Sequence, residues 1–258
     1  MSWKLTTLNC NGIRSAVRKG LHDWREAERP DVICLQELRM HQGQMDALHL
    51  APDGWAHVQA DAEKRGYSGA GIWSRLQPTL GGSTGMGLDW ADREGRVARM
   101  DLPAATVVSA YLPSGSSSEA RQGMKEVFMA HFLEYSRALL AEGRPVVLCG
   151  DLNIAHTVMD IKNAKSNVKN SGFLPSERAW FDDLLALGWV DVYRRLVPDG
   201  QQYSWWSQRG AARQNDVGWR IDYQLASPDL AARARSVSIG PPGLVLSDHA
   251  PVTVVYDD

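Results

Sequence analysis

The chain has 258 residues, of which 44% are hydrophobic and 22% charged, so one large α/β domain or two small ones can bury a sizeable core. The net charge of −2 gives no sign of a nucleic-acid binder, although charge can be segregated and a carboxylate-lined metal site would itself lower the total. No apolar run approaches the roughly 18 residues that a membrane span needs, and no signal-peptide pattern precedes the first strand. We therefore expect a cytoplasmic protein with no membrane partner.

The first half of the chain alternates strand and helix patterns. A strand ends at Asn9, and the pair Asn11-Gly12 that follows is typical of a turn. The run at 32–36 is short and apolar, as expected of a strand that is covered on both faces. We predict strands at 4–9, 32–36, 55–59, 68–74, 97–102 and 106–112, and helices at 18–28 (stopped by Pro30) and near 42–48.

The second half opens with a helix and closes with strands. A loop at 114–118 caps a long helix at 119–141, and an apolar strand at 145–149 follows. The pattern is lost between 154 and 176, which predicts a polar surface loop of a length that is usually functional or disordered. A helix at 176–187 stops at Gly188, and the last strands are predicted at 189–193, 202–206, 219–226 and 252–256.

No linker, low-complexity tract or charge block divides the chain, so we predict one domain over residues 1–258. Mixed strands with flanking helices indicate two packed, mixed β-sheets that are covered by helices on the outside. The expected fold class is therefore α/β, in the form of a four-layer sandwich.

The three cysteines each lie in or beside an apolar run that predicts a buried strand. They are Cys10, Cys34 and Cys149. An odd number without C-x-x-C spacing argues against a disulfide framework and against a zinc site, so buried free thiols are expected.

Polar residues recur at one kind of position, at or directly after the end of an apolar strand. Strand ends are where sheet proteins assemble a site. Carboxylate and amide oxygens with no cysteine among them suit a hard cation, Mg²⁺ or Mn²⁺, and Mg²⁺ usually shares its ligand shell with substrate phosphate. The pattern therefore indicates phosphoester chemistry. The set is Asn9, Asn11, Glu37, Tyr111, Asp151, Asn153, Asp222, Asp248 and His249.

The adjacent residues Asp248 and His249 lie at the mouth of the last predicted strand. Neighbouring strand residues face opposite sides, so the two side chains cannot both enter one apolar layer. Taken alone, the pair is explained equally well by an ordinary turn before a strand. The other strand-end residues favour a site.

Six segments occur in an order that resembles the exonuclease III family, the abasic-site (AP) endonucleases of the endonuclease/exonuclease/phosphatase superfamily. They are NCNGIR at 9–14, LQE at 35–37, YLP at 111–113, GDLNIAH at 150–156, GWRIDY at 218–223 and SDH at 247–249. The segment KNSGFLPSER at 169–178 and the GWRIDY segment are the most specific to the repair branch.

This resemblance implies a DNase I-like fold and a Mg²⁺-dependent endonuclease of base-excision repair, with Mn²⁺ as a substitute ion. It further implies incision 5′ to an abasic site, with 3′-5′ exonuclease and 3′-phosphodiesterase or phosphatase activity in the same site. The implied partner is double-stranded DNA with abasic sites or blocked 3′ ends, and the implied enzyme is a monomer.

The resemblance also assigns roles to residues. Glu37 is the implied principal metal ligand, supported by Asn9, Asp248, Asp151 and Asn153. Asp151 is implied to deprotonate or orient the attacking water, with Asn153 holding that water or the phosphate. His249 is the implied imidazole that contacts the scissile phosphate, and Asp222 is its implied carboxylate partner. Tyr111 is the implied phenol near the leaving group.

DNA contacts are implied by the same resemblance. Trp205, Trp219 and Ile221 would wall a pocket for the flipped-out sugar, although a plain core role for the tryptophans stays open. The implied backbone contacts are Arg14, Tyr67, Arg121, Asn163 and Asn170, and each is a solvated loop residue in the alternative reading. The loop at 207–216 has no bulky apolar wedge, and the small Ser171 leaves room for the sugar.

Other functions remain compatible with the acidic and histidine motifs alone. One is a dedicated 3′-end-processing exonuclease or phosphatase with little AP incision. Another is a phosphatase or phosphodiesterase that acts on a phosphoester other than nucleic acid. The third, a catalytically inactive DNA-binding protein, is disfavoured by the intact set of strand-end residues.

Overall fold

The computed structural model describes residues 2–241 and 243–258. The strands are β1 (Ser2–Asn9), β2 (Val32–Gln36), β3 (Ala56–Ala60), β4 (Ala70–Ser74), β5 (Gly82–Thr84), β6 (Val97–Asp101), β7 (Thr106–Tyr111), β8 (Val146–Asp151), β9 (Val190–Asp191), β10 (Trp205–Trp206), β11 (Gly218–Trp219), β12 (Asp222–Ala226), β13 (Ala234–Ile239) and β14 (Val252–Asp257). The helices are α1 (Ile13–Arg18), α2 (Leu21–Glu28), α3 (Asp89–Arg93), α4 (Glu119–Ala141), α5 (Ala164–Asn167), α6 (Pro175–Ala186), α7 (Val192–Leu196) and α8 (Pro228–Ala232), with 3₁₀ turns at Gln42–Gln44 and Val158–Asp160.

Two six-stranded sheets pack face to face. The first has the strand order β13-β14-β1-β2-β4-β3 and the second the order β5-β6-β7-β8-β12-β9, while β10 and β11 form a separate ribbon. Leu5 and Cys34 of the first sheet pack against Val107 and Cys149 of the second in one buried core cluster. Strands β2 and β8 are buried at every residue because they are central in sheets that are covered on both faces.

Helices cover the outer face of each sheet. The first sheet is covered by α1 and α2, which bury Ile13 and Trp24 against Leu35. The second sheet is covered by α4 and α6, which bury Phe132 and Phe181. The predicted four-layer α/β sandwich is therefore confirmed.

The topology brings several strand ends to one edge. Strands β1 and β2 are parallel and end together, and β7 and β8 do the same in the second sheet. The antiparallel strands β12 and β14 begin at this edge, where Asp222 lies opposite Asp151 and Val252 lies opposite Thr7. The polar residues singled out from the sequence therefore meet at one edge of the sandwich.

Several predicted elements differ from the observed ones. The helix at 18–28 is α2 alone, because Gly20 adopts φ +93° and separates it from α1. The α-helix expected near 42–48 was wrong, since only the 3₁₀ turn Gln42–Gln44 forms there. The strand expected at 189–193 is the two-residue β9 followed by α7.

The strand expected at 219–226 is interrupted at Arg220, so β11 and β12 belong to different sheets. The guanidinium of Arg220 is buried between the rings of Tyr193 and Tyr223, and it forms ion pairs with Asp160 (2.8 Å) and Asp191 (2.7 Å). These interactions hold the chain at the crossing point between the two strands. The loop expected at 154–176 contains a 3₁₀ turn and α5, and elements without a prediction are β5, α3, α8 and β13.

The three cysteines are free and buried, as predicted. Among the helices of the described residues, none has the length and apolar character needed to cross a membrane.

Candidate active site

The strand ends of both sheets surround a cleft with a volume of about 760 Å³. The buried side chain of Asn9 joins the two sheets beneath it, because its Nδ2 donates to Asp151 Oδ2 (2.9 Å) and its Oδ1 accepts from the backbone N–H of Asn11 (3.0 Å). The sequence-predicted site residues that line the cleft are Asn11, Glu37, Tyr111, Asp151, Asn153, Asn170, Trp205, Trp219, Ile221, Asp248 and His249.

His249 and Asp222 form a buried hydrogen-bonded pair. The imidazole Nδ1 lies 2.9 and 3.1 Å from the two carboxylate oxygens of Asp222, and the Nε2 lies 3.9 Å from Asp151 Oδ2. Burial alone would lower the pKa of His249, but the neighbouring carboxylates, Asp222 above all, outweigh it and raise the pKa to about 10. The imidazole is therefore a cation at neutral pH, with its second nitrogen near Asp151.

Asp151 is a buried carboxyl group that accepts several hydrogen bonds. Its Oδ1 accepts from the backbone N–H of Asn153 (2.9 Å), and its Oδ2 accepts from Nδ2 of Asn9 (2.9 Å) and of Asn153 (3.2 Å). Burial raises the pKa of Asp151 to about 7, with a further increase from Asp222, although His249 and the hydrogen bonds act in the opposite direction. A carboxyl group that titrates near neutral pH is suited to accept a proton from water.

Asn153 is fixed in the left-handed region, with φ +51°. Asparagine tolerates this conformation because its short side chain bonds locally, here from Nδ2 to the carbonyl of Leu112 (2.9 Å) and to Asp151. The carbonyl of Asn153 accepts from Lys125 Nζ (2.8 Å). Both ends of the residue are therefore held beside the Asp151 carboxylate.

Glu37 directly follows β2 and also lies in the left-handed region, with φ +51°. One of its carboxylate oxygens accepts from the Tyr111 hydroxyl and the other from the Arg39 guanidinium. Burial, with the negative charge of Glu37 second, raises the pKa of Tyr111 well above its usual value. The phenol is therefore a neutral hydrogen-bond donor at the cleft.

The Asp248 carboxylate has hydrogen-bond partners different from those of the His249 imidazole, although both residues line the cleft. Its Oδ1 accepts from Asn11 Nδ2 (2.8 Å) and its Oδ2 accepts from Trp205 Nε1 (3.2 Å). Burial would raise the pKa of Asp248, but the positive charge of His249 and these hydrogen bonds outweigh it and lower the pKa. Asp248 is therefore ionised at neutral pH.

The donor set of the cleft fits a hard divalent cation, because Glu37, Asp248 and Asp151 supply carboxylate oxygens. A second candidate set for a metal ion consists of Asp151, Asp222 and His249, whose ligand atoms lie within 4.8 Å of one another. In that set, ligation by Asp222 would compete with its two contacts to the imidazole. The same holds for the other carboxylates of the cleft, because both oxygens of Glu37 and both oxygens of Asp248 also accept hydrogen bonds.

Two perpendicular tryptophans form one wall of the cleft. The ring centroids of Trp205 and Trp219 are 6.0 Å apart with an interplanar angle of 89°, and both pack with the buried Ile221. Gly172 lies against this wall, where a Cβ atom would come 2.8 Å from the Trp219 ring and φ is +94°. Glycine is therefore required at 172 to bring the loop so close to the indole.

Four of the residues that the resemblance assigned to DNA contacts are not among those that line the cleft. Arg14 is exposed on α1, and Asn163 lies in a separate shallow depression at the start of α5. Arg121 is paired with Glu94 (2.8 Å) and donates to the hydroxyl of Tyr67 (2.5 Å). All four lie on surface segments and differ from Asn170, which does line the cleft.

Arg96 is a supporting residue that the sequence did not reveal. Its buried guanidinium lies 4.8 Å from the centroid of the Tyr111 ring, donates to the Tyr111 carbonyl (2.9 Å) and pairs with Glu94 (2.6 Å). The sequence shows only that a charged residue precedes the buried strand β6, and this position does not indicate which residue Arg96 contacts.

Glu177 is a second supporting residue, although it lies in the recognised segment at 169–178. It forms a fully buried ion pair with Lys125 (2.6 Å) and accepts from the backbone N–H groups of Gly172 (2.6 Å) and Leu174 (3.0 Å). These bonds fix the loop at 170–174, which contributes Asn170, Ser171, Gly172 and Leu174 to the cleft lining. Its position just after Pro175, in the first turn of α6, is the signal that could have suggested a capping role.

Comparison with known proteins shows the family of the chain. The chain matches the endonuclease/exonuclease/phosphatase family model over residues 6–249. It is 37% identical to the exodeoxyribonuclease of Bacillus subtilis over 260 residues, which cover 98% of this chain and 99% of that protein. Two solved structures are similar throughout.

An AP endonuclease from Leishmania major has a TM-score of 0.88 at 30% identity, covering 100% of this chain and 88% of that one. A 3′-5′ exonuclease from Neisseria meningitidis has a TM-score of 0.91 at 31% identity, covering 99% of this chain and 100% of that one. The chain therefore belongs to the endonuclease/exonuclease/phosphatase family, and within it to the exonuclease III and AP endonuclease type of DNA repair nucleases.

Proposed function

We propose that this nuclease hydrolyses the phosphodiester bond 5′ to an abasic site in duplex DNA and leaves a 3′-hydroxyl group. The observation that carries the proposal is the buried arrangement of Asp151, His249 and Asp222 beside a pocket walled by tryptophans. Because the similar structures include an AP endonuclease and a 3′-5′ exonuclease, the proposal includes 3′-exonuclease and 3′-phosphodiesterase or phosphatase activity in the same site.

The role that we assign to each catalytic side chain is supported by its geometry. Asp151 accepts the proton of the attacking water, and Asn153 holds that water or a phosphate oxygen. The His249 imidazolium, which Asp222 keeps protonated, donates to a non-bridging oxygen and stabilises the charge that develops on phosphorus. The bond from phosphorus to O3′ breaks, and the neutral phenol of Tyr111 stabilises the leaving oxygen.

The proposed metal ion is Mg²⁺, with Mn²⁺ as a substitute. Glu37 would be its principal protein ligand, and Asp248, Asp151, Asn9 and Asn153 would complete or support the site. When bound, the ion neutralises phosphate charge and acts as a Lewis acid.

The proposed substrate contacts divide into a pocket and a backbone surface. Trp205, Trp219 and Ile221 accept the sugar that lacks its base, because a baseless nucleotide is the least costly to extrude. The backbone contacts are assigned to Arg14, Tyr67, Arg121, Asn163 and Asn170, and contacts of this kind position DNA without reading its sequence.

We further infer one catalytic domain over residues 1–258 that acts as a monomer. The two sheets share one buried core cluster, which supports a single domain. Three free, buried thiols are compatible with a reducing compartment, and this supports action in the cytoplasm.

The function is tested with purified protein, Mg²⁺ and a duplex that carries one tetrahydrofuran abasic analogue. We expect one nick immediately 5′ to the analogue and a 3′-hydroxyl end that a polymerase extends. Parallel reactions contain an intact duplex, a 3′-phosphate duplex and an inositol polyphosphate. Cleavage of 3′ ends without incision at the analogue would identify a 3′-end-processing enzyme, and hydrolysis of the inositol phosphate alone would identify a phosphatase of another class.

The metal assignment predicts the effect of Glu37→Gln. Loss of this carboxylate is expected to weaken Mg²⁺ binding by at least about tenfold, because loss of a residue that only supports a metal ligand already has an effect of that size. The measurement is isothermal titration calorimetry of Mg²⁺ binding to the free protein. Glu119→Gln is the matched control, since Glu119 is another acid of the same cleft. Equal Mg²⁺ affinity of Glu37→Gln and the wild type would place the ion elsewhere.

The two perturbed side chains predict the pH dependence of the single-turnover rate. The rate rises as Asp151 loses its proton, near pH 7 in the metal-free protein, and falls as His249 loses its own near pH 10. A cation near Asp151 favours the carboxylate, so more Mg²⁺ is expected to move the acid limb to lower pH. Asp222→Asn removes the charge that raises the pKa of His249, so the alkaline limb is expected at lower pH. An unchanged alkaline limb in that variant would contradict the role of the pair.

A further inference from the structure

The segment 244–248, which carries Asp248 and precedes His249, forms neither a helix nor a strand. Its C-terminal end is fastened to the segment around β10, since the backbone N–H of Trp206 donates to the Asp248 carbonyl (3.1 Å) and that of Ala250 donates to the Ser204 carbonyl (2.7 Å). The remainder of the segment depends on other contacts.

Two kinds of contact hold that remainder: the packing of Leu246 in the buried cluster that contains Ile13 and Leu35, and one guanidinium. Arg213 donates from one terminal nitrogen to the Ser247 carbonyl (2.7 Å) and from the other to the Leu244 carbonyl (2.8 Å). A planar guanidinium presents two terminal nitrogens to two acceptors in a fixed geometry, whereas an ammonium group donates from one nitrogen at the end of a flexible stem. Arg213 therefore sets the separation of two carbonyl groups in the segment.

Arg213 is itself fixed in place. Its guanidinium carbon lies 4.6 Å from the centroid of the Trp206 ring, and Trp206 Nε1 donates to Asp216 (3.1 Å) at the far end of the loop 207–216. The backbone N–H of Val217 donates to the Ala212 carbonyl (2.8 Å) and closes the loop next to Arg213. The loop between the two tryptophan strands is thus tied to the segment 244–248.

Ser247 transmits this restraint to the active site. Its hydroxyl donates to Asp248 Oδ1 (3.1 Å) and accepts from the backbone N–H of His249 (3.2 Å). A shift of the Ser247 backbone therefore moves the side chain of Asp248 and the backbone of His249 together.

We propose that Arg213 is a positioning residue, which holds the segment 244–248 so that His249 meets the scissile phosphate in a productive geometry. The inference rests on the proposed function and assigns a task to the loop 207–216, which is to brace the catalytic segment. Arg213 does not contact the reacting atoms, and its effect passes through Ser247.

The test compares Arg213→Met, Arg213→Lys and Arg209→Met in single-turnover incision, DNA binding and thermal unfolding. Arg209 is exposed on the same loop, so Arg209→Met removes the same charge without removing the brace. We expect Arg213→Met to lower the saturating rate by about tenfold to a hundredfold, the cost of a displacement near 1 Å, with little change in DNA affinity. Arg213→Lys, which keeps the charge but replaces the two terminal nitrogens with one, should fall between Arg213→Met and the wild type.

If the decrease in the rate of Arg213→Met equals the fraction of the variant that is unfolded in the thermal unfolding curves, Arg213 acts only on stability and the inference is overturned. An equal rate loss in Arg209→Met, or an effect of Arg213→Met on KM alone, would also overturn it. The same variants are assayed on a 3′-recessed duplex. If the wild type cleaves only 3′ ends, the AP endonuclease proposal fails, and the rates of the variants on the 3′-recessed duplex still decide the Arg213 inference. A wild type that hydrolyses neither substrate overturns both.

Discussion

Replacing His249 by alanine is expected to lower the single-turnover incision rate by about 10³-fold, near the upper end of what loss of one donor to a developing oxyanion costs. The imidazole is buried, is held by Asp222 and is positively charged at neutral pH. Its contribution arises mainly in the transition state, where charge accumulates on the non-bridging oxygens. The affinity for uncleaved duplex should therefore change little.

The measurement is rapid-quench incision of abasic duplex, with DNA affinity measured separately in EDTA. Asp222→Asn should give an intermediate rate, because it keeps a hydrogen-bond acceptor but removes the charge. His156→Ala is the matched control: His156 also pairs with a carboxylate, Asp182 (2.7 Å), and packs on Phe181 outside the cleft lining. A His249→Ala enzyme that retains most of its rate would show that the imidazole is structural.

Replacing Asp151 by asparagine is expected to lower the rate by about 10² to 10⁴-fold, the range found for loss of a general base. An amide has almost the shape of the carboxylate but accepts no proton from water. It also supplies one acceptor oxygen where Asp151 uses two, toward Asn153 and Asn9. Part of the decrease in rate will therefore come from a weaker connection between the two sheets.

These two causes are separated by comparing Asp151→Asn with Asn9→Ala, which removes the hydrogen bond but leaves the base. We expect the larger loss in Asp151→Asn, when both rates are measured at saturating DNA and Mg²⁺. Equal losses would mean that Asp151 acts only by joining the sheets.

Strand-level features of the fold follow directly from the sequence. The run at 32–36 is apolar at nearly every position, and only a strand covered on both faces places such a run in a core, as β2 does. The site follows with it, because Asn9, Glu37 and Asp151 take their positions from strand ends that the topology brings together.

Pairings between distant segments do not follow from local pattern. Arg96 stacks on Tyr111, and Glu177 reaches Lys125, through contacts that depend on the completed fold. The break in the expected strand at 219–226 has the same origin, since it depends on ion pairs from Arg220 to residues far along the chain. Short edge elements such as β5 are exposed at every residue and therefore carry no hydrophobic period.

The central claim is that water, activated beside Asp151 and His249, attacks phosphorus on the 5′ side of an abasic site. A single turnover in ¹⁸O-labelled water, followed by mass spectrometry of both DNA fragments, tests it most directly. The account predicts one ¹⁸O atom in the 5′-phosphate of the fragment that carries the abasic residue and an unlabelled 3′-hydroxyl on the other fragment. An unlabelled phosphate, or an unsaturated sugar at the new 3′ end, would show that the strand is broken by elimination and would contradict the account.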